Sequence, residues 1–269
     1  MGNSAGAAAG RGRIGDPACR REGTSKFYDA LYSYIHSYGF SGVQKLFERF
    51  GYRILPSPYK ENDLTALKVT PDYSTRLALS LAKIAYLSYQ DKKTVAEIVR
   101  RWGIDIKHDF RYFNNQGRDT QAFMFRSEQF MVLAFRGSQE PQDWVTNFST
   151  QLRSFTIRRD GATTLSSYKG RVHTGFFLAW AIIEQSVLHQ LDRWQQQAFL
   201  QGKSLPPLYL TGHSLGGALA SMAAAALSDN QIEVAGLYTF GQPRVGDLTF
   251  TRQLSQHLDG KVFRFVNNI

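Results

Sequence analysis

Residues 208–227 read LYLTGHSLGGALASMAAAAL, and within them Gly212-His213-Ser214-Leu215-Gly216 fits the pattern G-x-S-x-G. A bare match arises by chance in about one chain in ten of this length, so its setting must carry the weight. A β-rich LYL precedes it and an alanine-rich, helix-forming run follows. Ser214 therefore falls on the tight strand-to-helix turn of a nucleophile elbow. Small residues on either side keep backbone away from the hydroxyl, and Gly216 and Gly217 let the helix approach the sheet. The helix N-terminus offers N–H donors and positive potential where an oxyanion would form. The chemistry in view is nucleophilic attack by Ser214 on a carbonyl. The competing account is a small-residue helix packed on a sheet.

A serine is a weak nucleophile until a histidine takes its proton and a carboxylate orients that histidine. After Ser214 the chain holds the acids Asp229, Glu233, Asp247 and Asp259 and one histidine, His257. Phe250, Leu254 and Leu258 mark the buried stripe of a helix over 247–258. His257 lies beside that stripe near the helix end, away from the strand ends where open α/β sheets hold their sites. Asp247 follows PRVG at a helix start and reads as an N-cap. His213 points the other way around the turn, and His173 precedes the serine, against the order Ser, acid, His that an elbow uses. Six histidines and one cysteine show no ligand spacing, so no metal is expected. GHSLGG lacks the lysine of a phosphate loop. No cofactor is expected.

Residues 1–25 are Gly-, Ala-, Arg- and Ser-rich and predict a disordered segment. Phe27, Leu31, Tyr34, Ile35 and Tyr38 recur at helical spacing, and a second short helix is predicted over 41–50, giving a helical extension over 26–72. A long helix is predicted over 72–89, followed by one that starts with a Thr94–Glu97 capping box and ends near Gly103. TQAFMF and QFMVLAF (120–135) read as a hairpin. Helix 176–200, strand 208–211, helix 215–228, strand 234–240, helix 247–258 and strand 261–266 then alternate. That alternation predicts an α/β fold, a mostly parallel sheet with helices on both faces. Residues 26–269 form one such domain.

The formal net charge is +10, from 32 basic and 22 acidic residues. Basic pairs are scattered rather than gathered in a stripe, which describes a solvated surface or attraction to anionic headgroups. No recognised nucleic-acid motif accompanies the charge, so nucleic acid is not an expected partner. A single cysteine excludes an internal disulfide and suits a reducing compartment. No apolar run reaches the length that crosses a bilayer, and the N-terminus shows no signal pattern. A cytoplasmic or peripherally membrane-associated location is expected; oligomeric state has no signature.

Four segments in order, AFRGS…DW, VHTGFFLAW (172–180), TGHSLGGALA (211–220) and YTFGQPRVGD (238–247), make residues 75–269 resemble the class 3, fungal-lipase-like lipases of the α/β-hydrolase fold. The resemblance implies Ser214 as nucleophile and an oxyanion hole from the Leu215 N–H and from Ser138. It implies a lid over 139–147 carrying Trp144, for which a core position is the alternative, and a structural role for His173. It implies a triacylglycerol-lipase-like ester hydrolase that cleaves lipid esters through an acyl-enzyme at Ser214; a phospholipase or feruloyl-type esterase, and a non-catalytic lipid- or partner-binding protein on the same fold, are the alternatives. In that family a strand like VFRFV leads through a short polar turn to the catalytic Asp and later to the catalytic His. Here VFRFVNN runs to Ile269. The fold is thus expected to be C-terminally incomplete and this chain nearly inactive, since losing the histidine costs on the order of a million-fold in kcat.

Overall fold

The computed structural model describes Tyr59, Leu64 and residues 73–115, 120–138, 151–159 and 162–266. The expected disordered segment 1–25, the helices before residue 51 and Trp144 lie outside the described residues. Helix α1 (Thr75–Leu87) starts at the N-cap Ser74 and buries Leu77, Leu81 and Ile84. Helix α2 (Lys92–Arg101) corrects the expected capping box. Its N-cap is Asp91, whose carboxylate accepts from the N–H groups of Lys93 (2.8 Å) and Thr94 (3.0 Å) and from the Thr94 hydroxyl (2.8 Å). One carboxylate oxygen accepts both first-turn N–H groups while the other takes the Thr94 hydroxyl, and the negative charge strengthens each bond. Thr94 therefore sits inside the helix.

Strands β1 (Phe110–Asn115), β2 (Thr120–Arg126) and β3 (Met131–Phe135) pair antiparallel in sequence order, and β2–β3 is the expected hairpin. Two small pairs follow: β4 (Leu152–Ser154) with β7 (Arg171–His173), and β5 (Thr156–Arg159) with β6 (Ala162–Leu165). The chain then runs through α3 (Thr174–Leu200), β8 (Leu208–His213), α4 (Leu215–Asp229), β9 (Val234–Phe240), α5 (Leu248–His257) and β10 (Val262–Phe265). The main sheet has the order β1-β2-β3-β8-β9-β10, parallel from β3 onward. Crossover helices put apolar cover on both faces of such a sheet, and β8 is buried at every position. One core joins the sheet to α3, α4 and α5; the other joins its opposite face to α1 and α2.

Helix α4 lies between the sheet and α3, with Ala218, Ala220 and Ala223 to Ala226 all fully buried. Alanine combines high helix propensity with a short reach, so it suits a helix held against backbone on more than one side.

Glu184, in the middle of α3, is only 2% exposed and accepts the Arg158 N–H at 3.0 Å. Burial raises its pKa, against the opposing pull of Arg158. A folded carboxyl with a raised pKa binds more protons than the unfolded one, so its contribution to stability falls as pH rises from about 4.5 through the raised value. Glu184→Gln keeps an acceptor for Arg158 without the charge. Its melting temperature relative to the parent is expected to climb as pH is raised from 4 to 7.5, and a difference independent of pH would refute this.

Candidate nucleophile elbow

Ser214 has φ 53° and ψ −124° at the N-cap position of α4. For a residue with a Cβ this is strained backbone. Its neighbours hold it there from both sides. The Ser214 N–H donates to the Phe240 carbonyl at 2.9 Å, extending the β8–β9 ladder, and its carbonyl accepts from the Gly217 and Ala218 N–H groups at 3.0 and 3.3 Å. Within residues 208–227 it is the one position that is not buried. Its hydroxyl makes no capping bond to the helix, and no hydrogen bond to it forms among the described residues. An N-cap serine ordinarily spends its oxygen on the helix; this one leaves it facing solvent.

The glycines explain how the turn closes. A Cβ on Gly212 would run into the backbone of Gly216, and a Cβ on Gly216 would run into the Phe135 carbonyl. The first turn of α4 thus rests directly on the ends of β8 and β3. At that turn the N–H groups of Leu215 and Gly216 have no carbonyl partner among the described residues; orphan donors of this kind concentrate positive potential. Beside them, β3 ends at Phe135 opposite Gly212, and the chain continues through Arg136 and Gly137 to the buried Ser138. Leu215 and Ser138 therefore follow neighbouring, parallel strands out of the sheet by a similar number of residues.

Sequence reasoning missed Tyr89, two residues beyond α1. Its hydroxyl lies 2.8 Å from His213 Nδ1, and the Gly137 N–H is directed at the same oxygen. Burial pushes its pKa up, against the nearby Arg136 cation. No local signal could have found it, because the two partners are 124 residues apart in the chain.

The other candidates hold structure. His173 caps α3 by accepting the Gly175 N–H at 3.1 Å, and its ring packs on Phe176. His257 donates from Nδ1 to the Gln253 carbonyl at 2.9 Å and packs on Tyr168. Asp247 caps α5 through the Phe250 N–H (2.9 Å) and also accepts the Arg171 N–H (2.8 Å), tying β7 to α5. Asp229 accepts from the Ser166 hydroxyl at 2.7 Å and the Ser167 N–H at 2.9 Å. These bonds, with Arg159, lower its pKa although burial alone would raise it. After β9, the buried Gln242 accepts from the Ser221 hydroxyl (3.1 Å), and Arg264 donates to its carbonyl (2.7 Å). That loop is thereby pinned beside α4.

A mostly parallel sheet with a strained, solvent-reaching serine between a central strand and a small-residue helix is the architecture of the α/β-hydrolases. The family model Lipase (class 3) matches residues 132–269, and the chain belongs to this family. Lipase II from Rhizopus niveus shares the fold, with a TM-score of 0.52 and 21% identity over 71% of this chain and 72% of that one. The secreted mono- and diacylglycerol lipase 1 of Fusarium solani is 34% identical over 130 residues, 47% of this chain and 33% of that protein. The triacylglycerol lipase OBL1 of Arabidopsis thaliana is 27% identical over 228 residues, 67% of this chain and 42% of that protein. The chain thus spans less than half the length of either relative.

Proposed function

We propose that this protein is a serine carboxylic ester hydrolase of acylglycerols or membrane glycerolipids, with Ser214 as nucleophile. The observation that carries the reading is the strained, solvent-reaching Ser214 beside the orphan donors of α4. Ser214 Oγ attacks the ester carbonyl and gives up its proton as the C–O bond forms. The negative charge that develops on the carbonyl oxygen is met by the Leu215 N–H and by Ser138, through its N–H and hydroxyl. Collapse expels the alcohol, which takes up a proton, and leaves an acyl-enzyme; water then releases the fatty acid and restores Ser214.

Among the described residues no histidine hydrogen-bonds the Ser214 hydroxyl. No helix among the described residues is long and apolar enough to cross a membrane. The excess of basic residues supports peripheral contact with anionic lipid. The kinship with a mono- and diacylglycerol lipase and a triacylglycerol lipase supports a glycerolipid ester.

A fluorophosphonate probe, offered with and without added imidazole as an external proton acceptor, tests the assignment. The expected result is imidazole-accelerated labelling that peptide mass spectrometry maps to Ser214. Labelling of other serines alone, or none, would instead favour a non-catalytic lipid-binding protein on the same fold.

A further inference from the structure

We propose that Tyr89 is a positioning residue whose hydroxyl, seated between the His213 ring and the Gly137 amide, locks the segment carrying Ser138 in register with the segment carrying Ser214. The proposal deepens the hydrolase assignment and rests on it. Hydrogen-bonded pairing of β3 with β8 stops at Phe135 opposite Gly212. The residues proposed to do the chemistry, Ser138 on one side and Ser214 and Leu215 on the other, all lie past that last pair. Their relative position therefore needs another constraint, and the end of α1 provides it. Ser88 donates to the Phe135 carbonyl at 3.1 Å. One residue further on, the Tyr89 oxygen meets His213 Nδ1 at 2.8 Å and the Gly137 N–H.

Gly137 fills the gap with nothing to spare. A Cβ there would strike the Tyr89 hydroxyl and come within 2.6 Å of the His213 carbonyl oxygen. The peptide leading to Ser138 is thus clasped between the phenol and the backbone of the residue before Ser214. The direction of the proton follows from the donors present. The Arg136 cation nearby can accept nothing from the phenol. The buried phenol keeps its own proton, and His213 Nδ1 is the acceptor within reach. The hydrogen bond at Nδ1 fixes the His213 ring as a strut.

Removing the hydroxyl should loosen the oxyanion donors relative to the nucleophile without changing any group that touches substrate. Tyr89→Phe is expected to lower the maximal fluorophosphonate inactivation rate of Ser214 about tenfold, measured at constant imidazole, and to leave the probe's half-saturating concentration unchanged. A purely structural role would move thermal stability and leave the maximal rate of the folded fraction alone. Side-chain ¹⁵N spectra of His213 should show an acceptor Nδ1 in the parent and a shift of both ring nitrogens in Tyr89→Phe.

Equal inactivation rates in folded parent and Tyr89→Phe overturn the proposal. If circular dichroism shows Tyr89→Phe unfolded, His213→Asn and His213→Leu decide. The amide oxygen of asparagine can still accept from Tyr89, so it should keep more of the rate than leucine, and equal rates overturn the proposal. A parent chain in which Ser214 never labels marks failure of the hydrolase assignment instead; the His213 spectra then still judge the latch, and unchanged ring shifts in Tyr89→Phe overturn it.

Discussion

Ser214→Gly is expected to abolish fluorophosphonate labelling while raising the melting temperature by about 2–4 °C. Ser214→Ala should abolish labelling with almost no gain in stability. The difference lies in the backbone. At φ 53° and ψ −124° the Cβ of Ser214 is in a region that costs about 1–3 kcal/mol. Alanine keeps that Cβ and the strain with it. Glycine removes both, offset by about 0.5–1 kcal/mol for the extra freedom it gives the unfolded chain. The hydroxyl caps nothing in the fold, so its loss has no structural cost of its own. Scanning calorimetry of the parent and both variants measures the effect. A glycine variant less stable than the alanine variant would show that the turn stores no strain, and the main support for a nucleophile elbow would go with it.

Gly216→Ala should destabilise the fold by about 3 kcal/mol and cut Ser214 labelling by at least about a hundredfold. The added methyl would meet the Phe135 carbonyl and lie 2.9 Å from the Arg136 carbonyl carbon. Both are main-chain atoms at the end of β3, which cannot rotate away as a side chain can. The first turn of α4 would have to lift, carrying the Leu215 N–H and Ser214 away from the strand that leads to Ser138. Gly217→Ala is the matched control, because its nearest neighbour is Gln242 Cβ at 3.1 Å. A few tenths of an ångström of movement there would absorb the methyl, so its loss in stability should be clearly smaller. Urea denaturation and labelling rates of the two variants make the comparison; equal losses would mean that the approach of α4 to β3 is not what holds the turn.

The parts legible from residue order were those written locally. Glycines flanking Ser214, an apolar strand before it and alanines after it specify strand, turn and helix within twenty residues. Periods of 3.6 and 2 likewise announced α1, α3 and the β2–β3 hairpin. The cap of α2 was misread by the same local logic, because Thr94 and Asp91 are both good caps and only the folded geometry shows the carboxylate reaching two N–H groups. The small strands β4 to β7 carry too few residues for a period to show, and Leu152–Ser154 exists as a strand only because Arg171–His173 pairs with it.

Residue order by itself thus determined the fold class, the family likeness and the turn at Ser214, since each depends on steric preferences of consecutive residues. The folded chain alone decided that Tyr89 meets His213 across 124 residues and that Asp229 turns to Ser166 across 63. It also decided that Phe135 ends β3 against the first turn of α4. A hydrogen bond is satisfied by whichever partner the packed core brings within 3 Å or so, and that choice is made by the assembly of distant segments, which no single stretch of sequence encodes.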